Sequence, residues 1–373
     1  MRHSMSPSVV VLHSIQHRRA PLAGTGRYTR ELAAALPAAG EPVQPLVVNP
    51  WEIRVAGRRI GGLTSIQLQH LVRGRRGADL LHSVNAYMMH PKADVVTLHD
   101  LHPQRFGAAW GMAASGIRLM RARVDGFARR GGHFITPTAA VKAQLLEDHP
   151  TVSGDRVHVT YEGISDAFRP PEPGAARHPA FDPEAFNILV VADLHPRKRL
   201  DLVMEAAASF DEGAVRVVQL GTDRRLHPAW EEQAKRERAA EGRFKGLKRL
   251  GHVGEAGLVQ AYQGADLVVT WTEDEGFGFP PLEALRCGTP VAVSDLPVFR
   301  ELLGDRAAYF SDVDGLGQAI GQAMRRKPSP AERKGWHAFV RDTYTWERTA
   351  RLTCGAYAAT RADRPQRSAP RDV

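Results

Sequence analysis

The stretch of residues 267–293 constrains the fold more than any other part of the chain. Residues 267–270 are apolar and β-branched, which is typical of a buried strand, and residues 291–293 have the same character. Between them lies a glycine-rich loop, followed by a segment with Pro281 near its start and Gly288 at its end, where helices favour these residue types. The order strand, loop, helix, strand predicts a parallel α/β sheet in this half of the chain.

Two carboxylates, Glu275 and Glu283, stand eight positions apart around this loop. Gly276 and Gly278 let the backbone approach a ligand closely, and the start of the helix favours an anion such as phosphate. Glu283 can accept hydrogen bonds from two neighbouring hydroxyls of a ribose, while Glu275 can reach a second polyol such as a sugar ring. The alternative is that both acids only stabilise a helix N-terminus, an effect of about 0.3–1 kcal/mol.

The whole string Glu-Gly-Phe-Gly-Phe-Pro-Pro-Leu-Glu, from Glu275 to Glu283, resembles the donor-site signature of retaining glycosyltransferases of family 4, which have the GT-B fold. The resemblance implies that Glu275 lies beside the transferred sugar and that Glu283 binds the ribose. The other donor-binding residues that it implies here are Phe277, Gly278, Phe279 and Leu282, the first three through backbone amides that hold sugar hydroxyls and phosphate.

A second strand, over residues 187–192, leads into a loop with paired cations, Arg197 and Lys198. Such a loop suits phosphate, although a basic run at a surface is commonly only solvated. Family members carry Pro-Arg-Lys-Asn at this point, which implies that the two cations grip the donor diphosphate. Asp193 departs from the family pattern, and we expect it to point away or to pair with Arg199. Residues 249–258 resemble the family's strand and loop beside the nucleotide base, which Val253 would contact through its backbone.

Two glycines, Gly24 and Gly26, form a predicted loop that opens a helix. Alone this pattern is equally consistent with a tight turn, but Gly-x-Gly-Arg-Tyr-Thr resembles the start of many family members. The resemblance implies that the loop faces the donor diphosphate across the cleft, with Gly26 as the best candidate for contacting it. Tyr28 and Arg30 are expected on the helix surface. Another helix is possible over residues 65–72.

A strand over residues 95–98 ends in His99 and Asp100. Catalytic groups of open α/β sheets gather at the carboxyl ends of strands, although a histidine at such an end is often only structural. The resemblance implies that His99 lies in the cleft near the donor sugar and has a catalytic role, while Asp100 orients the loop. Glu162 occupies the place of asparagine in the family's Asn-Gly-Val turn and is assigned no role.

Composition narrows the range of partners. The net charge is +9 and the sequence pI is about 9.8, which favours polyanions, but no nucleic-acid-binding signature occurs, so nucleic acid is not an expected partner. A long helix predicted over residues 106–130 carries five arginines and is either a solvated face or a face for an anionic acceptor or a lipid surface.

The two cysteines lack metal spacing, and no apolar run reaches the length of a membrane span. We therefore expect a cytoplasmic protein, with peripheral contact at the inner face of the membrane left open.

The predicted fold class is α/β, namely GT-B, with two doubly wound Rossmann-like domains facing across a cleft. The boundary falls in a proline-rich linker. The predicted segments are an acceptor-side domain over 1–170, the linker over 171–185, a donor domain over 186–342, a helix packing back on the first domain over 343–360, and a disordered tail over 361–373.

The predicted function is the retaining transfer of a hexosyl group, best guess mannosyl from GDP-mannose, from a nucleotide diphosphate sugar to an acceptor hydroxyl. The acceptor belongs to glycan, glycolipid or natural-product glycoside synthesis. The catalytic residues are His99, Arg197, Lys198 and Glu275. No cofactor and no metal are expected, because Arg197, Lys198 and helix amides can neutralise the leaving diphosphate. The alternatives are a GT-B sugar-nucleotide epimerase or phosphorylase, and a non-catalytic protein that binds a nucleotide sugar.

Overall fold

The structure, a computed structural model, describes residues 10–15, 24–48, 53–55, 58–60, 78–109, 111–193, 195–222 and 230–364. The helix proposed for residues 65–72 lies outside these ranges. Contacts divide the chain into two compact units. Unit 1 comprises residues up to 104, residues 114–163 and residues from 346 onward, and unit 2 comprises residues 105–113 and 164–345.

Unit 1 is built on a parallel sheet. The strands of this sheet are β1 (Val10–Ile15), β2 (Val43–Val48), β5 (Leu80–Ser83), β6 (Val95–Thr97), β7 (His133–Thr136) and β8 (Val157–Val159). Two further strands, β3 (Ile53–Val55) and β4 (Arg58–Ile60), form a separate antiparallel pair. The parallel strands of the described residues lie in the order β2-β1-β5-β6-β7-β8. The residues of β5, β6 and β7 are all buried, as expected for parallel strands covered on both faces.

Unit 2 is built on a second parallel sheet. Its strands are β9 (Phe186–Val191), β10 (Val215–Leu220), β11 (Leu247–Gly251), β12 (Leu267–Thr270), β13 (Val291–Ser294) and β14 (Ala308–Phe310). They lie in the order β11-β10-β9-β12-β13-β14. The chain first adds strands on one side of β9 and then returns to add β12 on the other side. The boundary between β9 and β12 is therefore the topological switch point, beyond which ligands of open α/β sheets bind.

Helices connect these strands. They are α1 (Gly24–Ala35), α2 (His102–Arg105), α3 (Ala114–Arg129), α4 (Ala139–Asp148), α5 (Leu200–Ala207), α6 (Glu231–Arg243), α7 (Glu255–Gly264), α8 (Phe279–Arg286), α9 (Pro297–Leu303), α10 (Val313–Arg325), α11 (Pro330–Thr343) and α12 (Trp346–Ala362). The last of them, α12, belongs to unit 1 and contacts α1 and the strands β6, β7 and β8.

Each unit has its own apolar core. In unit 1, Phe127 of α3 meets Phe134 of β7 edge to face, with ring centroids 5.0 Å apart, and both side chains are buried. In unit 2, Val203 and Met204 of α5 and Ile188 of β9 share one fully buried cluster. Apolar burial of this kind provides the main driving force for folding and fixes the helices against the sheets that carry the site residues.

Three predicted elements differ from the structure. Gly24 and Gly26 lie inside the first turn of α1, and not in a loop before it. The long helix predicted over residues 106–130 is interrupted: residues 106–109 form a turn, Gly111 has a φ of 80°, and α3 begins only at Ala114. At the other end of the chain, α12 continues through Ala362, so the predicted disordered tail does not start at residue 361.

Ion pairs hold the end of α12. Arg361 donates to both carboxylate oxygens of Glu41 at 2.7 and 2.9 Å and to Asp79 at 2.9 Å. Arg364 forms an ion pair with Asp94 at 2.5 Å. These contacts explain the order of a basic segment whose composition alone indicates disorder. The rest of the predicted tail, residues 365–373, lies outside the described residues.

Candidate functional site

The switch point of unit 2 brings two predicted motifs together. Strands β9 and β12 are hydrogen-bonded neighbours, with Ile188 paired to Leu267. Because both strands run in the same direction, the loops that follow them leave the same edge of the sheet. One loop carries Arg197 and Lys198 in a short 3-10 turn, and the other carries Glu275. Residues that are almost eighty positions apart in sequence therefore share one site.

Arg197 clamps the loop after β12. Its Nη1 donates to Thr272 Oγ1 at 3.1 Å, to the carbonyl oxygen of Asp274 at 2.9 Å and to Glu275 Oε2 at 3.2 Å. In return, its own carbonyl oxygen accepts from the amide of Glu273 at 3.0 Å. Its Nε and Nη2 have no hydrogen-bond partner within the described part of the chain, and the side chain is 19% exposed. Arg197 thus fixes the loop with one nitrogen and keeps donors for a ligand.

Lys198 contacts the same carboxylate oxygen. Its Nζ lies 2.5 Å from Glu275 Oε2, and both side chains are 14% exposed. Two cations and one acid therefore form a single cluster, in which the three side chains together carry one positive charge. A partly desolvated cation pair at the carboxyl edge of a parallel sheet is suited to an anionic ligand.

The neighbouring charges resolve the question raised by Asp193. Arg199 pairs with Asp201 at 3.1 Å and with Glu273 at 3.4 Å, so its ion pairs do not include Asp193. The Asp193 carboxylate instead accepts a hydrogen bond from the backbone amide of Thr222 at 2.8 Å. Arg199 also has a positive φ of 39°, which non-glycine residues seldom adopt.

The glycine loop before α8 requires its glycine. Gly278 has a φ of 84°, and a Cβ at this position would lie 2.6 Å from a ring carbon of Phe299. A side chain would therefore be both strained and in collision. Phe277 is buried, Phe279 is half-buried, and their rings meet at 5.3 Å. Leu282, the fourth residue of α8, is completely buried, so its side chain belongs to the core of unit 2.

Glu283 is buried within the first turns of α8, with 2% exposure. Its Oε2 accepts a hydrogen bond from the hydroxyl of Tyr262 on α7 at 2.7 Å, and Tyr262 is itself fully buried. Sequence reasoning did not identify Tyr262, because its distance from Glu283 depends on how α7 and α8 pack. Val253 lies half-buried between β11 and α7.

Unit 1 holds the remaining predicted residues. Gly24 is exposed and Gly26 half-buried at the start of α1. His99 follows β6, and its side chain is 19% exposed. Next to it, Asp100 accepts a hydrogen bond from the amide of His102 at 3.2 Å. The hydroxyl of Tyr87 donates to the carbonyl oxygen of Asp100 at 2.9 Å.

His99 is held by two acceptors. Its Nδ1 lies 3.1 Å from Oε1 of Glu162, and its Nε2 lies 3.0 Å from the carbonyl oxygen of Val84. Burial favours the neutral ring, but the hydrogen bond and the charge of Glu162 outweigh it, so the pKa of His99 is raised above its usual 6.5. Glu162 is 3% exposed and is the residue of this unit that sequence reasoning missed.

A buried polar chain lies beneath His99. The ring of Tyr28 meets His99 edge-on, with centroids 4.8 Å apart, and Tyr28 is 1% exposed, whereas the sequence predicted it on the surface. Its hydroxyl lies 3.2 Å from Thr97 Oγ1, which is 2.7 Å from His82 Nε2, while His82 Nδ1 lies 2.8 Å from the hydroxyl of Tyr357. Burial lowers the pKa of His82 to about 3 and raises that of Tyr28.

The described ranges hold no group of three or more His, Cys, Asp or Glu side chains that could bind a metal ion. Among the helices that the structure describes, none combines the length and the apolar character needed to cross a membrane.

Known sequences resemble a large part of the chain. Residues 175–333 match the family model described as Glycosyl transferases group 1. A D-inositol 3-phosphate glycosyltransferase of Mycolicibacterium gilvum is 29% identical over 227 residues, which are 59% of this chain and 50% of that protein. The serotype-specific mannosyltransferase WbdA of Escherichia coli is 27% identical over 179 residues, 47% of this chain and 22% of that protein. The chain thus spans about half the length, or less, of these curated relatives.

Solved structures resemble the whole chain. Sucrose-phosphate synthase from Thermosynechococcus elongatus matches with a TM-score of 0.76 at 16% sequence identity. The match covers 95% of this chain and 99% of the synthase chain. Alr3699/HepE from Anabaena, in complex with UDP and glucose, matches with a TM-score of 0.68 at 15% sequence identity. This match covers 94% of this chain and 99% of the Alr3699/HepE chain. At such identities the likeness concerns the fold. The chain is therefore similar to glycosyl transferases group 1 over residues 175–333, and its fold is GT-B.

Proposed function

We propose that this protein is a retaining glycosyltransferase that moves a hexosyl group from a nucleotide diphosphate sugar to an acceptor hydroxyl. The observation that carries the proposal is the cluster of Arg197, Lys198 and Glu275 at the switch point of unit 2, where one sheet edge combines two cations with a carboxylate. The cations suit a diphosphate, and the carboxylate suits the hydroxyls of a sugar. The match of residues 175–333 to the glycosyl transferases group 1 model supports the same reaction class.

Each group has a distinct part in this mechanism. Lys198 and the remaining donors of Arg197 neutralise the charge that grows on the diphosphate as the bond between sugar carbon and phosphate oxygen breaks. Glu275 positions the sugar, and Glu283, oriented by Tyr262, accepts hydrogen bonds from the ribose. The acceptor oxygen attacks the same face that the diphosphate leaves, and the departing phosphate oxygen takes the acceptor's proton. No protein nucleophile takes part.

The finer assignments belong to the proposal as well. Mannose from GDP-mannose is our choice of donor, and the match to a protein named as a mannosyltransferase supports it. The complexes of Alr3699/HepE with UDP and UDP-glucose make the uridine nucleotides the main competitors. We also propose that the reaction needs no metal, because the cluster offers side-chain cations at the diphosphate position.

A binding and turnover screen tests this function. GDP-, UDP- and dTDP-sugars are compared by thermal shift in the presence of EDTA, and the anomeric configuration of the product is read by NMR. We expect GDP-mannose at a hundred times its Kd to stabilise the protein by about 2.7 kcal/mol and to yield an α-linked product. Stabilisation that disappears in EDTA overturns metal independence. Epimerisation without an acceptor, or cleavage that requires inorganic phosphate, assigns the site to the alternative enzyme classes.

The acceptor side of the proposal concerns α3. We propose that its exposed face meets an anionic or lipid-linked acceptor. Arg121 and Arg123 are engaged, since they donate to the carbonyl oxygens of Asp148 and Tyr87 at 3.0 and 2.6 Å. The exposed residues of the basic face are Arg118, Leu119, Arg129 and Arg130. Of the five arginines in the sequence pattern, two therefore serve the fold.

Liposome flotation tests the role of this face. We expect the protein to float with vesicles that contain anionic lipid and not with purely zwitterionic ones. A variant with Arg118, Arg129 and Arg130 replaced by glutamine should lose binding, whereas Arg30→Gln on α1, an exposed arginine paired with Glu31, should keep it. Absence of binding to both vesicle types would leave the solvated-face interpretation in place.

A further inference from the structure

The turn after β8 places Glu162 opposite His99. Its carboxylate is almost completely buried and lies 3.1 Å from Nδ1 of the ring. On the other side of the ring, Nε2 lies 3.0 Å from the carbonyl oxygen of Val84. Both ring nitrogens are therefore engaged, and the plane of the ring is fixed from two sides.

The partners determine where the protons are. A carbonyl oxygen only accepts hydrogen bonds, so Nε2 must carry a proton. One more proton lies between Nδ1 and the carboxylate, because an ionised carboxylate also only accepts. Imidazole is the stronger base of the two, with an ordinary pKa of about 6.5 against about 4.3 for glutamic acid. That proton therefore belongs to His99, and the pair consists of an imidazolium and a carboxylate.

The backbone around Glu162 holds the carboxylate in one position. Tyr161, the residue before it, has a φ of 54°, in a region that is uncommon for an aromatic residue and costs of order 1–3 kcal/mol. Such a conformation persists only when the surroundings enforce it. A Cβ on the following Gly163 would lie 2.5 Å from Trp346, so this turn is packed tightly against α12. The fold thus fixes the position of the Glu162 carboxylate.

We propose that Glu162 is a positioning residue that locks His99 as an imidazolium, so that His99 carries a fixed positive charge and does not act as a general base. This inference rests on the proposed function and on the resemblance, which implies that His99 lies near the donor sugar. An asparagine, which the resembling family carries here, could hold the ring but not its charge. The acceptor's proton then goes to the departing phosphate oxygen, and His99 neither gains nor loses a proton during transfer.

The other groups that face His99 do not change this charge balance. Asp100 follows it in the same loop and adds a second carboxylate nearby. Tyr28 on α1 and His82 on β5 are buried, and burial favours the neutral form of both side chains. Of the described groups around the ring, the acids favour the imidazolium, and Glu162 is the one in direct contact.

An NMR titration of the full-length protein tests the pair without requiring activity. The C2 proton of His99 is assigned among the sixteen histidines with a His99→Asn variant. We expect its titration midpoint to lie above 6.5 and to fall by about one to three pH units in Glu162→Gln. Glu162→Asp, which keeps the carboxylate, should restore part of the shift. A midpoint that is equal in the wild type and in Glu162→Gln overturns the proposal.

The chain offers a matched control in the same unit. His149 also lies between a carboxylate and an amide oxygen, with Nδ1 2.8 Å from Asp125 and Nε2 2.8 Å from Gln104. Asp125→Asn should leave the His99 midpoint unchanged. Circular dichroism of Glu162→Gln and Glu162→Asn reports whether each variant folds, and the asparagine variant has the residue that the resembling family tolerates.

The pH profile of transfer completes the test. We expect kcat/KM to decline as pH rises through the His99 midpoint and the decline to move to lower pH in Glu162→Gln, but not in Asp125→Asn. A profile that rises through the same midpoint would show a general base and overturn the proposal. If no nucleotide sugar is turned over and the NMR shift is still present, the proposed function fails while the locked pair stands.

Discussion

Two acid–base groupings, one in each unit, differ in how their charges balance. In unit 2, Arg197 and Lys198 share one carboxylate oxygen of Glu275, and the three side chains are 14–19% exposed. In unit 1, a single imidazolium faces a carboxylate that is 3% exposed. The first grouping keeps a positive charge available for an incoming anion. The second is neutral as a pair, and its acid serves to hold a ring in one orientation and one charge state.

The comparison teaches that proximity of an acid and a base has different consequences according to its geometry. A flexible lysine on a shared carboxylate can exchange that partner for a phosphate, because all the charges remain paired in both states. A histidine with both nitrogens engaged and a buried partner has no such exchange available without an unpaired buried charge, which is strongly unfavourable. The predictions below test whether the unit 2 cluster is exchangeable and the unit 1 pair fixed.

The largest effect should come from Lys198→Ala. Lys198 faces charge that increases as the diphosphate departs, so its loss should lower turnover as well as donor affinity. Removal of such a preorganised contact typically costs about 3–4 kcal/mol in the transition state, or roughly a hundredfold to a thousandfold in rate. Steady-state transfer assays measure this. Lys235→Ala, which removes an exposed lysine paired with Glu232, is the control. An unchanged kcat in Lys198→Ala would contradict the exchange of partners.

Glu275→Ala should separate catalysis from nucleotide binding. We expect transfer to fall about a hundredfold, or roughly 2.7 kcal/mol, because the sugar loses its positioning carboxylate. The sequence alone predicts an unchanged affinity for the free nucleoside diphosphate. The ion pairs sharpen this to a modest gain, of about 1 kcal/mol at most, since both cations lose a competing anion.

Calorimetry with the nucleoside diphosphate checks that gain. Glu273→Ala is the matched control, because Glu273 lies two residues away, is 41% exposed and pairs with Arg199. A loss of nucleotide binding in Glu275→Ala, with binding kept in Glu283→Ala, would show that the roles assigned to the two carboxylates are reversed.

The fold and the first grouping could be predicted largely from the sequence. Residues 267–293 carry the strand, the loop, the helix and the next strand in one continuous string, and the resemblance to GT-B glycosyltransferases is confirmed. Arg197, Lys198 and Glu275 follow strands that pair directly, so their meeting follows from parallel topology. Their roles toward a donor remain predictions.

The second grouping could not be predicted, because its contacts are not local. Glu162 and His99 are 63 positions apart, and neither periodicity nor spacing links them. Tyr28 fits the pattern of an exposed helix residue, yet it is buried against His99 and lies 6.0 Å from the ring of Trp346 at the start of α12. The missed role of Glu162 and the wrong exposure of Tyr28 have one cause: packing by α12 determines which side chains unit 1 buries.

A smaller effect should appear in the pH dependence of stability. The pKa of His99 is raised in the folded protein, so its stabilising contribution is fully present below the unfolded value of about 6.5 and is lost as pH rises through the folded value. The free energy of unfolding of the wild type should therefore exceed that of Glu162→Gln by more at pH 6 than at pH 9.

Urea unfolding at a series of pH values measures this difference. A double-mutant cycle supplies the control: His99→Asn, Glu162→Gln and the double variant should all have the same reduced slope between pH 6 and pH 9, because each of them removes the pair. An unchanged slope in every variant would mean that the imidazolium is not stabilised by Glu162.

The smallest loss of nucleotide affinity should come from Tyr262→Phe, which tests the support of the ribose-binding acid. The hydroxyl of Tyr262 donates to Glu283 at 2.7 Å inside the core, and its removal leaves a buried carboxylate oxygen without that partner. The cost to stability should be about 1–3 kcal/mol. Nucleotide affinity should fall only severalfold, about 1 kcal/mol, because the carboxylate itself remains.

Calorimetry and thermal unfolding should be run beside Tyr309→Phe. That hydroxyl donates to the carbonyl oxygen of Gly304 at 2.6 Å, away from Glu283, so its loss should lower stability without changing nucleotide affinity. Equal affinity in Tyr262→Phe and Tyr309→Phe would mean that Glu283 keeps its orientation without α7. Its position would then be due to the first turns of α8 alone, and the ribose site would depend on one element and not on two.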